Sequence, residues 1–132
     1  MTEYLPIAVL EGDGVGPEVV PVALDAVSRA LAGQGITLEP KALPFGAAAI
    51  ASHGAPIPDM TLAALGAFDL WVVGPHDSAS YPVELRTPPP GAVLRKQFGL
   101  FANLRPARAW AGVAATAPDI DVLVVRENSE GL

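Results

Sequence analysis

The sequence predicts an α/β fold, a mostly parallel sheet with flanking helices. Two observations point there. Short apolar runs alternate along the chain with segments of helical period, the alternation that builds parallel sheets. The first such run, "IAVLEGD" (7–13), ends in glycine and aspartate and leads into a proline-initiated helix, a strand–turn–helix unit.

Pro17 stands where the first helical residue belongs, and Glu18 places a negative charge at the positive end of that helix. Val20, Ala23, Leu24, Val27, Ala30 and Leu31 then recur at helical spacing, with Asp25, Ser28 and Arg29 off that face. Pro21 lies in or just past the first turn, where its missing N–H matters least, and Gly33 and Gly35 stop the helix. "ITLEPKAL" (36–43) reads as a second strand, and Pro40, which cannot donate to a ladder, puts it at an edge. "GAAAIASHG" (46–54) is a short alanine-rich helix with His53 as a dipole or cap residue at its C-terminal end. Asp59 is expected to cap "MTLAALGAF", and "DLWVVG" (69–74) is expected to be a buried strand. "PHDSASYPVELRTPPP" (75–90) has no period, and a loop of that length is a lid, a binding loop or a disordered segment. "GAVLRKQFG" (91–99) reads as a short helix with Leu94 and Phe98 on one face. "FANLRPARAW" (101–110) and "DIDVLVVRE" (119–127) are the last two strands, and both read as buried.

The chain has 132 residues, enough for one domain with a core, and its 51% hydrophobic content rules out a disordered polymer. A net charge of −6 argues against a nucleic-acid backbone or an anionic membrane surface as partner. With no cysteine, disulfides, thiolate metal sites and cysteine nucleophiles are excluded. Glu3 and Pro6 interrupt any signal-peptide pattern, and a cytoplasmic location is expected.

Three clusters carry candidate chemistry. "GDGVG" (12–16) spaces its glycines unlike the G-x-G-x-x-G dinucleotide fingerprint. It is either a tight turn that needs positive φ or a place where backbone approaches a phosphate or cofactor. Arginines form the second cluster. Strand alternation puts Phe101, Asn103 and Arg105 on one face and sends Arg108 to the other. Arg126 ends "DVLVV", where open α/β sheets bind ligands, and Arg95 precedes Arg105 by ten residues across a short turn. Three converging guanidiniums suit a di- or tricarboxylate held by bidentate forks; the other reading is three separate surface ion pairs. The third, "RENSEG" (126–131), is a polar loop in which Glu127 and Glu130 make a poor metal site without further ligands. "HDS" (76–78) does not make a hydrolase, because triads assemble from distant segments and no G-x-S-x-G elbow is present.

Taken together, "AVLEGDGVGPEVV", "LRKQFGLFANLRPAR" and "VRENSEG" resemble, in order and spacing, the isocitrate/isopropylmalate dehydrogenases, the β-decarboxylating hydroxyacid dehydrogenases. The resemblance implies that residues 1–132 are the N-terminal part of an isopropylmalate dehydrogenase-like fold, an incomplete domain of a homodimeric enzyme. It implies oxidation of a malate-type 2-hydroxy acid with NAD or NADP, then loss of the β-carboxylate with Mg²⁺ or Mn²⁺. By motif position, Arg95, Arg105 and Arg126 would clamp substrate carboxylates, with Asn103 a polar neighbour. Gly12, Asp13, Gly14 and Val15 would lie near the cofactor. The metal ligands and a catalytic lysine would follow Leu132, so this chain alone is not expected to turn over substrate. Glu11 stands where the family usually has proline. The stretch that selects the substrate's side group reads "RTPPPGAV", with Thr87 and Ser78 or Ser80 as the hydroxyls that can stand in. "RENSEG" is closest to the tartrate/D-malate type. A non-catalytic carboxylate-binding or subunit-interaction module derived from the family is the alternative.

Overall fold

The computed structural model describes residues 3–128 and divides the chain into two compact units, Met1–Gly91 and Ala92–Leu132. The first unit is built on a three-stranded parallel sheet of order β2-β1-β3, formed by β1 (Glu3–Leu10), β2 (Ile36–Ala42) and β3 (Trp71–Val73). β1 is central, so Ile7, Ala8, Val9 and Leu10 are all buried, each larger side chain contributing roughly 1.5–3 kcal/mol of burial energy. β2 is an edge, as Pro40 requires; it pairs with Ile7 in a register running from Glu3↔Ile36 to Val9↔Ala42.

α1 (Gly16–Ala32) begins with Pro17 in its first turn and carries Pro21 inside it. Of its apolar stripe, Val20 is buried and Leu24 and Leu31 are half-buried, whereas Val27 is exposed. α2 (Gly46–His53) and α3 (Asp59–Leu65) follow β2. Asp59 does not cap α3: Pro58 holds the cap position in extended conformation and Asp59 is the first helical residue, with no side-chain cap bond. Its charge still meets the positive end of the helix. Thr61, fully buried, satisfies its hydroxyl by donating to the Pro44 carbonyl at 2.9 Å. "DLWVVG" is also shorter and wetter than its apolar run suggests. β3 keeps three residues, with Val73 exposed, because β1 is its only ladder partner among the described residues.

The loop that follows is ordered by two short 3-10 turns, Ser78–Ser80 and Val83–Leu85. α4 (Pro90–Gln97) opens at the end of the first unit and lies mostly in the second. The second unit contains an antiparallel pair, β4 (Ala102–Arg108) and β5 (Asp121–Glu127), with the register Asn103↔Arg126, Arg105↔Val124 and Arg108↔Asp121. Neither strand is buried: β5 is exposed along its length and β4 everywhere but at Asn103, because among the described residues each pairs only with the other. Ser129, Glu130 and Gly131, the end of "RENSEG", lie outside the described residues.

Candidate functional site

Antiparallel pairing puts directly opposed residues on the same face of a ladder. Asn103 faces Arg126, and Arg105 is two residues further along β4, so Asn103, Arg105 and Arg126 share one face. Arg105 and Arg126 are diagonal neighbours on the ladder, with Cα atoms roughly 7–8 Å apart by ladder geometry. Arg105 Nε donates to Asn103 Oδ1 at 3.1 Å, which leaves the two terminal nitrogens of the guanidinium for another acceptor. The position of Arg126 at a strand end therefore matters for a different reason than expected. β5 belongs to an antiparallel ladder, so the crevice rule of open parallel sheets does not place it; the cross-strand register does.

Arg108 lies on the opposite face and has partners of its own. Its Nε is 3.7 Å from Asp121 Oδ2, and its guanidinium carbon lies 5.7 Å from the Trp110 ring centroid. Arg29 is likewise paired, to Asp25 at 2.8 Å. Among the described residues, Arg95, Arg105 and Arg126 have no carboxylate within ion-pair reach. Three separate ion pairs are thus not what these side chains form there. Arg95 is half-buried on α4 and its carbonyl accepts the Leu100 N–H at 2.9 Å, tying the helix end to the turn at Gly99 that leads into β4.

In the first unit, "GDGVG" is the tight turn that needs positive φ. Gly12 and Gly14 have φ of +78° and +58°, which favour glycine. A Cβ on Gly12 would fall 2.0 Å from the Pro75 carbonyl oxygen, so glycine is also required by close approach. A Cβ on Gly14 would meet nothing within 4 Å, and Val15 is 59% exposed, so this edge of the turn is open to a ligand. Beside it, at the C-terminal ends of β1 and β2, lies a cleft of about 160 Å³ lined chiefly by Val9, Gly12, Pro17, Leu43, Pro44 and Phe45. Glu11 also lines this cleft, setting one carboxylate in an otherwise largely apolar wall.

Asp13 projects inward from the same turn. Its carboxylate accepts the Ala47 N–H at 2.7 Å, the Asp77 N–H at 2.9 Å and the Tyr81 hydroxyl. Burial pushes its pKa up, but the Tyr81 hydroxyl, the two amides and the His76 ring outweigh that and hold the carboxyl below the usual carboxylate range. Burial, together with the hydrogen bond to Asp13 and the charges of Asp13 and Asp77, raises the Tyr81 phenol, which stays protonated. Tyr81 and its partnership with Asp13 are invisible in the sequence, since the two residues are 68 apart and the loop has no period.

The remaining candidates do not gather into one cluster. Ser80 Oγ donates to the Asp77 carbonyl at 2.8 Å, Ser78 opens the first 3-10 turn, and Thr87 is exposed. His76 Nε2 accepts the Gly91 N–H at 3.3 Å and its ring meets Phe45 edge-on at 6.4 Å, so "HDS" is not assembled as a triad. Among the described residues no three His, Asp or Glu side chains are placed to hold a metal ion, and no helix is long and apolar enough to cross a membrane.

The family model for isocitrate/isopropylmalate dehydrogenase matches residues 6–132. The 3-isopropylmalate dehydrogenase of Beutenbergia cavernae is 38% identical over 134 positions, covering 99% of this chain and 39% of that protein. The 3-isopropylmalate dehydrogenase of Vibrio parahaemolyticus is 40% identical over 144 positions, covering 96% and 38%. Among solved structures, an isocitrate dehydrogenase from Methylococcus capsulatus superposes with a TM-score of 0.78 at 31% identity, covering 97% of this chain and 36% of that one. A β-decarboxylating dehydrogenase from Thermococcus kodakarensis gives 0.69 at 30% identity, covering 97% and 35%. The chain spans about 40% of the length of the curated relatives it matches.

Proposed function

The chain belongs to the isocitrate/isopropylmalate dehydrogenase family, and from that premise we propose that it is the N-terminal part of a dehydrogenase that oxidatively decarboxylates a malate-type 2-hydroxy acid, using NAD or NADP and a divalent metal. The observation that carries this reading is the shared face of Asn103, Arg105 and Arg126, two cations with no carboxylate in ion-pair reach among the described residues, Arg105 being held by the Asn103 amide. Two guanidinium forks side by side match two carboxylates of one small acid.

In this reading Arg105 and Arg126 bind and orient the carboxylates, Arg95 contributes a third cation from α4, and Asn103 fixes the rotation of the Arg105 fork. Holding the departing carboxylate in one orientation is a positioning contribution to catalysis. The open edge at Gly14 and Val15, with the apolar cleft beside it, forms one wall of the cofactor site, where a nicotinamide ring supplies the hydride acceptor. The described residues offer no cluster for the divalent metal.

The test is made on the protein that carries this chain, supplied with (2R)-malate-type acids, NAD or NADP, and Mg²⁺ or Mn²⁺. Reduced nicotinamide and CO₂ should appear in equal amounts. Reduced nicotinamide without CO₂ would refute decarboxylation. Binding of the acid with neither product would favour a non-catalytic carboxylate-binding module, which the same two arginines also support.

A further inference from the structure

Asp13 lies between two glycines of positive φ, and that backbone turns its side chain into the protein, away from the open edge of the turn. The carboxylate fits against Gly46, where a Cβ would stand 2.4 Å from Oδ1. Only glycine leaves that room. The Ala47 amide belongs to the first turn of α2 and has no acceptor within the helix, so Asp13 satisfies an orphan donor and meets the positive end of the helix dipole. On the other side the carboxylate takes the Asp77 amide and the hydroxyl of Tyr81, a residue only 2% exposed, whose phenol needs a partner once its ring is buried. Three donors from two separate segments thus converge on one anion. The other titratable groups around it are His76 and Asp77, from the same loop as Tyr81.

We propose that Asp13 is a positioning residue of the candidate cofactor wall: its carboxylate takes no ligand but fastens the 77–81 loop and the start of α2 onto the Gly12–Val15 turn. Tyr81 is the other half of the fastener. It sets where Ser78 and Ser80 stand relative to Gly14 and Val15. That this edge faces a cofactor rests on the dehydrogenase reading; the fastening itself does not.

The experiment follows backbone amides by NMR through an acid titration, with and without NAD⁺ as probe. In the chain as it stands, the amide protons of Ala47 and Asp77 should shift together through one midpoint below the usual carboxylate range. Asp13→Asn should abolish both shifts. Tyr81→Phe, which removes one oxygen, should speed hydrogen exchange across 77–81 by about tenfold, the worth of one hydrogen bond to a charged group. Exchange in β1 and α1 should stay unchanged. NAD⁺ should move the amides of Gly14 and Val15, bind several-fold more weakly to Tyr81→Phe, and leave the acid response of Ala47 and Asp77 intact. The proposal is overturned if those two amides ignore the titration, if Tyr81→Phe speeds exchange equally everywhere, or if saturating NAD⁺ releases the two amides from Asp13. If NAD⁺ moves neither Gly14 nor Val15, the cofactor wall is refuted while the titration still decides the fastening.

Discussion

Replacing Arg105 by alanine isolates what the arginine face of the β4–β5 ladder does. Arg105 is exposed and its side chain makes one hydrogen bond among the described residues, to Asn103, so its loss should change stability by no more than about 0.5 kcal/mol. Its effect on a bound dicarboxylate should be larger. With Nε occupied by Asn103, the two terminal nitrogens form a fork, and a charge-assisted contact of that kind contributes about 1.5–3 kcal/mol. Exposure puts Arg105 at the lower end, which corresponds to about a tenfold rise in the Kd for (2R)-malate. Arg126→Ala should cost a similar factor. Because the two arginines are diagonal neighbours holding one ligand, the double variant should depart from simple additivity by at least about 0.5 kcal/mol. Arg105→Lys keeps the charge but not the fork, and should recover only part of the loss. Calorimetric titration at fixed ionic strength measures all four. A Kd for Arg105→Ala within twofold of the parent chain, or an equal loss on Arg108→Ala, would refute the assignment.

Arg108→Ala itself should leave malate binding unchanged and shift stability by less than about 1 kcal/mol, read from urea melts, because its ion pair with Asp121 is exposed and long at 3.7 Å. Gly12→Ala should destabilise by more than about 1 kcal/mol in the same assay, since it meets both an unfavourable φ of +78° and a carbonyl 2.0 Å from the new Cβ; a neutral result would mean the turn can open. Asp13, held below its unfolded carboxyl pKa, contributes stability that is complete above the unfolded value and is lost as pH falls through the folded one. Acid melts should therefore show an extra loss below about pH 4 that Asp13→Asn removes. Leu104, Leu123 and Val125, 56–65% exposed on the face opposite Arg105 and Arg126, should drive concentration-dependent association in sedimentation, and Val125→Lys should weaken it without changing malate affinity.

The elements that the sequence made legible are those with a period and punctuation of their own. α1 announces itself through Pro17, Glu18 and the spacing of Val20, Leu24 and Leu31, and β2 declares its edge through Pro40. Asp59 misleads because its residue type suits either a cap or a first helical turn, and Pro58 settles the matter by fixing its own φ. The cluster at Asp13 could not be read at all. Ala47 and Asp77 bond it through backbone amides, which leave no mark on residue type, and Tyr81 stands in a loop without a pattern.

The arginine strand poses the reverse problem, because its residues are legible but their grouping is not. Alternation alone puts Asn103 with Arg105 and sends Arg108 elsewhere, yet it says nothing about where Arg126 falls. A shift of one residue in the β4–β5 register would carry Arg126 to the other face. The observed pairing is the one in which Arg108 meets Asp121 on one side while Asn103 meets Arg126 on the other. Cross-strand complementarity at Arg108 and Asp121 favours that register over its neighbours, and the same register leaves two arginines adjacent with no acid between them. A small acid with two carboxylates is the ligand that could engage both forks at once, and the Arg105→Ala and Arg126→Ala titrations decide whether this face is used in that way.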